Sequence, residues 1–174
     1  DGEWLTYTDV VALSASADSE QSYQVSARQI DSVGNISPVT GPVNVTIDLA
    51  APAAPSISGI SAGTYNAEQS FTLGNIESGA TPQYRLTSTG SWLNYTGSVD
   101  LSCSTNSTEN YQVSARQIDA AGNVSLETGP IDVFIDLDVP SAPGISGVSS
   151  GTYGSNQSFT LTGTESGATA YYSL

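Results

Sequence analysis

The side chains of this chain that are best suited to bind a ligand are acidic and amide groups beside glycine turns. An Asp-x-x-Gly-Asn motif occupies residues 31–35 and again residues 119–123. Carboxylate and amide oxygens are hard ligands of the kind that Ca²⁺ takes, at roughly six to eight per ion. A simpler explanation is turn chemistry, in which glycine adopts positive φ and the Asp or Asn side chain bonds to the loop's own backbone.

Several other chemistries are excluded by composition. The 174 residues include 17 carboxylates, three arginines, no lysine and no histidine, which gives a net charge of −14. A His-based triad, a His-ligated zinc and a lysine Schiff base are therefore impossible. The single cysteine cannot close a disulfide within the chain. We expect no enzyme, and the negative charge argues against nucleic acid and anionic membranes as partners. Without an apolar run of about 18 residues, we also expect no membrane insertion.

The chain is a tandem repeat. Residues 23–31 and 111–119 spell the same nine residues, Tyr-Gln-Val-Ser-Ala-Arg-Gln-Ile-Asp, at an offset of 88. The offset holds without a gap along the whole chain, and 51 of the 86 aligned pairs are identical. A period of 88 residues is longer than the roughly 20–50 residues of solenoid repeats, and it suits one self-contained β-sandwich per repeat.

Alternating apolar and polar residues predict the strands that position the loops. In the central repeat the predicted strands comprise residues 56–60, 69–73, 83–86, 91–95, 99–103, 111–119 and 131–136. In the preceding copy they comprise residues 4–7, 11–15, 23–27 and 43–47. Seven short strands separated by turn residues favour an all-β fold of tandem immunoglobulin-like Greek-key β-sandwiches with an 88-residue repeat.

Two proline-containing linkers divide the chain into three predicted domains. The sequence Pro-x-Ala-Pro occurs at residues 52–55 and again at 140–143, and proline stiffens such segments. Residues 1–49 are predicted to be the C-terminal half of one repeat, 50–137 a complete repeat, and 138–174 the N-terminal half of the next.

Asp1 and Gly2 fall at a predicted hairpin turn. Neighbouring copies are therefore predicted partners, either by strand complementation between residues 138–174 and 1–49 or by end-to-end stacking. A fragment of one long protein would show the same pattern.

The predicted topology brings acidic residues together where domains meet. In such a sandwich the last hairpin loop and the loop between the second and third strands lie at the end where the chain enters. The first junction then gathers Asp48, Glu77, Asp119 and Asn123, and the next gathers Asp136, Asp138 and Glu165. We predict a Ca²⁺ site at these junctions. The alternative is that the carboxylates serve solubility and self-repulsion alone.

Aromatic residues suggest a second kind of site. Trp92 and Tyr95, which recur as Trp4 and Tyr7, could form a platform for stacking a sugar, although packing against the core or a sheet edge is the simpler explanation. Cys103 alternates with Val99 and Leu101 and is predicted to be a small buried residue.

The repeated motifs resemble the bacterial immunoglobulin-like repeats of large secreted adhesins and biofilm proteins. The resemblance is carried by Tyr-x-Val-x-Ala-Arg-x-x-Asp, Ala-Gly-Asn-Val-Ser, Val-x-Ile-Asp and Pro-x-Ala-Pro. It implies an extracellular stalk or filament on the bacterial cell surface, rigidified by Ca²⁺ between domains. The expected function is that of a structural spacer or fibre-forming module. The alternative is a carbohydrate- or ligand-binding β-sandwich module, with a glycan or surface ligand as partner.

Overall fold

The computed structural model describes residues 3–174, and every regular element in that part of the chain is a β-strand. Asp1 and Gly2, which were predicted to lie at a hairpin turn, fall outside the described residues. The prediction of an all-β fold is confirmed. The strands are β1 (Glu20–Ala27), β2 (Thr40–Asp48), β3 (Ser56–Ser58), β4 (Gly63–Tyr65), β5 (Gln69–Gly74), β6 (Thr81–Arg85), β7 (Leu93–Asn94), β8 (Val99–Leu101), β9 (Thr108–Ile118), β10 (Thr128–Asp136), β11 (Gly144–Ser146) and β12 (Thr160–Thr162).

Two sheets form the central part of the molecule. One sheet has five strands in the order β4-β10-β9-β6-β7, and the other has three in the order β3-β5-β8. Within them β4 runs parallel to β10, whereas the other pairings are antiparallel. Two further two-stranded sheets, β1-β2 and β11-β12, lie before and after. Each sheet is confined to one of the three predicted segments of the chain.

The buried core lies between the two central sheets. The three-stranded sheet and the residues that follow β8 contribute Phe71, Leu73, Leu101 and Cys103, and the five-stranded sheet contributes Val113, Ala115, Val133 and Ile135. Alternation along β10 places Val133 and Ile135 inside and leaves the intervening Phe134 36 % exposed, as expected for a strand with one buried face. The prediction that Cys103 is a small buried residue is confirmed.

The sheets at the two ends reproduce the pairings of the central sheets at the 88-residue offset. Tyr23 lies opposite Val45 in β1-β2, just as Tyr111 lies opposite Val133 in β9-β10. In the same way β11-β12 repeats the register of β3-β5, residue for residue. The segments on either side of the central sheets therefore form the hairpin-like pairs that their sequences share with the centre.

Two strand predictions were wrong. Residues 4–7 and 11–15 were expected to form strands, but neither does. Their counterparts in the centre, β7 and β8, pair with β6 and β5, and residues 3–49 contain no equivalent of those two partners. A strand without a ladder partner leaves its backbone groups unpaired, so it does not form.

Among residues 3–174 the structure contains no helix that is long and apolar enough to cross a membrane.

Candidate functional site

The loop after β9 is organised by the Asp119 carboxylate. Its Oδ1 accepts hydrogen bonds from the backbone N–H groups of Ala121 at 2.9 Å and Asn123 at 2.8 Å. Its Oδ2 accepts a third bond, from the Asn123 side-chain amide at 2.9 Å. Gly122 supplies the positive φ, +97°, that the turn needs. Asp31 and Asn35 make the same contacts in the earlier copy. The turn chemistry predicted for this motif is confirmed in both copies.

These bonds determine how the Asp119 carboxyl titrates. Burial raises its pKa, but the hydrogen bonds from the Asn123 side chain and from nearby backbone N–H groups outweigh burial. The pKa therefore lies below the ordinary value of 3.8. Protonation would remove acceptor oxygens from a loop that depends on them, so it disfavours the folded state.

We expect stability to fall in acid because of this loop. A pKa that is lower in the folded than in the unfolded state stabilises the fold above pH 3.8, and this stabilisation disappears as the pH falls below that value. Urea unfolding measured between about pH 7 and pH 2 should show the loss. Asp119→Asn should lower the free energy of unfolding at neutral pH. It should also reduce the further loss of that free energy in acid, which we call the acid limb of the pH profile. Asp100→Asn, on an outward-facing position of β8, is the matched control. An unchanged acid limb in Asp119→Asn would contradict this explanation.

Asn123 also reaches across the junction to the preceding segment. Its side-chain Nδ2 donates to the backbone carbonyl of Asp48, the last residue of β2, at 3.1 Å. The Asp48 carboxylate faces its own chain, where Oδ1 accepts from the N–H of Ala50 at 2.9 Å. The junction is therefore bridged by an amide-to-carbonyl hydrogen bond.

A buried glutamine fastens the linker to the loop between β5 and β6. Gln117 lies near the end of β9, and its side chain is fully buried. Its Oε1 accepts from the N–H of Glu77 at 2.9 Å. Its Nε2 donates to the carbonyls of Ala53 and Asn75. One side chain thus ties together three segments that are far apart in sequence.

The linker is held by consecutive carbonyls. Residues 53–55 present three backbone carbonyls in a row, and each accepts a hydrogen bond from a different side chain: Gln117 to Ala53, Asn75 to Ala54 at 3.0 Å, and Thr128 to Pro55. Pro52 and Pro55 have no N–H to donate, and the carbonyls of residues 53–55 attach the linker by hydrogen bonds. We call Asn75, Gln117, Asn123 and Thr128 the linker clamp.

The predicted metal ligands are distributed as follows. At the first junction Asp48, Asp119 and Asn123 come together through the bonds just described, and the exposed Glu77 is attached there by its backbone N–H. At the second junction Asp136 Oδ1 accepts from the N–H of Asp138 at 3.0 Å, and the Glu165 carbonyl accepts from the N–H of Ala168.

Within residues 3–174 no three acidic, His or Cys side chains cluster closely enough to hold a metal. Both Asp119 oxygens are already hydrogen-bonded, so the donor set does not form a ready cation site. Calcium stays a prediction.

Comparison with protein-family models and with curated proteins found no match to this chain. The residues of the junction therefore carry the functional argument alone.

All three basic side chains lie over tryptophan rings. The guanidinium carbons of Arg116 and Arg85 lie 4.3 and 4.8 Å from the centre of the Trp92 ring, and that of Arg28 lies 4.2 Å from Trp4. Arg85 also forms the salt bridge with Glu127, at 2.8 Å. Cation–π contact explains why the few positive charges are placed here. Arginine occupies ring surface that a stacked sugar would need, and carbohydrate binding at Trp92 and Tyr95 stays a prediction.

The sequence reasoning missed Gln117, Asn75 and Thr128. A glutamine inside an otherwise alternating strand is the signal that could have revealed Gln117, because a buried amide requires partners from other segments. The recurrence of Gln29 and Thr40 at the same offset points the same way.

Proposed function

We propose that this chain is a structural spacer, a fibre-forming module of tandem immunoglobulin-like β-sandwiches in an extracellular bacterial adhesin or surface filament. Its role is mechanical and not catalytic. The observation that carries the proposal is the linker clamp, in which side chains of one repeat hold the carbonyls of the segment that connects it to the previous one.

The strand arrangement supports the immunoglobulin-like Greek-key assignment. The order β3-β5-β8 on one side and β4-β10-β9-β6-β7 on the other is that of a two-sheet sandwich in which the chain crosses repeatedly from one sheet to the other and the pairs β6-β7 and β9-β10 stay within one sheet. Near the start of β9 the Tyr111 hydroxyl donates to the Ser102 carbonyl. Tyr23 makes the same bond to Ser14. A tyrosine bonded to upstream backbone at this corner is a hallmark of such sandwiches.

The linker clamp is suited to keeping the joint between successive repeats stiff. A flexible joint leaves the linker's polar groups to water, so the domains it joins move independently. Here four side chains bond the linker and the end of β2 to the following repeat. Hydrogen bonds of this kind contribute about 1 kcal/mol each. Together they favour one orientation of successive repeats.

Spin-label distances test the stiffness of the joint. Cysteines are introduced at the exposed Gln24 of β1 and Thr72 of β5 in a Cys103→Ala background, because alanine occupies the equivalent position 15. Labelled chain is diluted with excess unlabelled chain. We expect a narrow distance distribution. Asn123→Ala should broaden it and cost about 1 kcal/mol across the joint.

The matched control is Asn35→Ala, which removes the same loop bond to Asp31 but no bond to Asp48. Its distribution should stay narrow. A broad distribution in the unsubstituted chain would contradict the spacer proposal.

Repeating the measurement with Ca²⁺ and with a chelator tests the predicted calcium site. A distance distribution that narrows only with Ca²⁺ would support the site. A distribution that Ca²⁺ does not change would indicate that the linker clamp alone holds the joint.

A further inference from the structure

The first part of the central repeat pairs with both sheets in turn. The strand β3 pairs antiparallel with β5 in the three-stranded sheet. Four residues later β4 begins, and it pairs in parallel with β10 in the five-stranded sheet. Gly59 makes the crossing at φ +97°, where a side chain would meet the Ser70 carbonyl at 2.8 Å. The segment that enters the repeat is therefore attached to one sheet and then to the other.

The chain enters and leaves the repeat at opposite ends of β10. Thr128, the first residue of β10, holds the carbonyl of Pro55 in the linker. Leu137, just after the last residue of β10, exchanges backbone hydrogen bonds with Asn106 and Ser107. The nine residues of β10 separate these two points by roughly 30 Å. A pull on both neighbours of the repeat therefore acts along β10.

Such a pull loads the pairing of β4 with β10 in shear. Gly63 and Tyr65 lie opposite Val133 and Ile135. The chain enters ahead of β4 and leaves after β10, and the two strands are parallel, so tension draws them past each other along their axes. The hydrogen bonds of a ladder run across the strands. Sliding must therefore break the bonds of all three residue pairs together, whereas peeling would break them one after another.

Side chains oppose the same movement. Val133 and Ile135 are fully buried, and Tyr65 packs against the core that they help to form. The Tyr65 hydroxyl also donates to the Ser61 carbonyl at 2.9 Å, within the crossing between the sheets. The linker clamp takes the load first, because it holds the carbonyls of residues 53–55 ahead of β3. Once the clamp yields, the load passes to β4.

We propose that the central repeat resists tension along the array, with the parallel β4–β10 pair as the principal barrier and the linker clamp in front of it. This inference rests on the spacer function, to which it adds resistance to being pulled apart. Forced unfolding is governed by the rate of crossing a barrier and not by the free energy of unfolding. The unfolding force should therefore depend on the direction of the pull, although the stability of the protein does not.

Single-molecule pulling on the full chain tests the inference. Cysteine handles at the exposed Asn44 and Ser141, in the Cys103→Ala background, apply tension along the natural path. We expect one main rupture that lengthens the chain by roughly 300 Å, the extended length of one repeat. Handles at the exposed Thr105 and at Ser141 instead pull β9 and β10 apart from their adjacent ends. Their ladder then opens pair by pair, at less than about half the force of the first geometry.

A third pair of handles separates the β4–β10 pair from the linker clamp. Ala62 is exposed and lies between β3 and β4, so handles at Ala62 and Ser141 bypass both the clamp and β3. We expect the rupture force to stay at least about twice that of the Thr105 geometry, because β4 and β10 are still loaded in shear. Equal urea midpoints for the three proteins show that only the direction of the pull differs.

Equal rupture forces along and across the strands would overturn the proposed resistance to tension. A force in the Ala62 geometry that fell to the level of the Thr105 geometry would overturn the assignment of the barrier to β4 and β10. The spin-label measurement reports the orientation of the joint without load. A narrow distance distribution in a repeat that unfolds easily in every direction would therefore leave the spacer function standing and remove only this inference.

Discussion

Phe71→Ala will lower the free energy of unfolding of residues 50–137 by about 3–5 kcal/mol. Phe71 is only 1 % exposed, lies between the two sheets and packs edge to face on Tyr84. Truncation removes the transfer free energy of a large ring and leaves a cavity that the sheets cannot close. A domain of this size is stable by only about 4–13 kcal/mol, so the variant should be close to unfolding. Urea denaturation followed by tyrosine and tryptophan fluorescence measures the loss.

Phe159→Ala is the matched control for this prediction. Phe159 has the same sequence position in the next copy and the same aromatic partner geometry, but it lies outside the central core. In dilute protein its replacement should leave the unfolding of residues 50–137 within about 0.5 kcal/mol of the original. If both substitutions destabilised the centre equally, the core would not be confined to residues 50–137.

Gln117→Leu will cost about 2–4 kcal/mol, although leucine has nearly the same volume and is apolar. The substitution leaves the Ala53 and Asn75 carbonyls and the Glu77 N–H without the partner they have now. Polar groups that lose their partners cost about 1–3 kcal/mol each. The same change should broaden the spin-label distances, because it frees the linker.

Gln29→Leu is the control, since Gln29 has the same neighbours in sequence but an exposed side chain. We expect a change within about 0.5 kcal/mol. A Gln117→Leu protein as stable as the original would contradict the role assigned to this glutamine in holding the linker.

Hydrogen bonds from neutral side chains explain how an acidic protein can form ordered junctions between its repeats. Carboxylates crowded at a joint repel each other unless a cation or hydrogen-bond donors compensate them. In this chain Asp119 is compensated by N–H groups of its own loop and by the Asn123 amide. The few arginines are engaged by tryptophan. The joint therefore uses neutral amide and hydroxyl donors on carbonyl acceptors.

Much of the fold could be predicted from local pattern. The alternation of Val113 with Ala115 and of Val133 with Ile135 placed these residues on one face, and all four are fully buried. The Asp-x-x-Gly-Asn loop was also predictable, because its hydrogen bonds join residues at most four apart in sequence. Strand alternation and turn chemistry are short-range effects, so one copy of the sequence is enough to predict them.

Long-range contacts were decided by tertiary structure alone. The strand β4 pairs in parallel with β10, about 70 residues away, and its short sequence shows no alternation that predicts it. The clamp joins Gln117 to Ala53 and Thr128 to Pro55 across 64 and 73 residues. The same holds for residues 4–7 and 11–15, whose sequences favour strands but which lie without the partners that β7 and β8 have. A strand needs a neighbour to satisfy its backbone, and only the folded chain determines whether that neighbour is present.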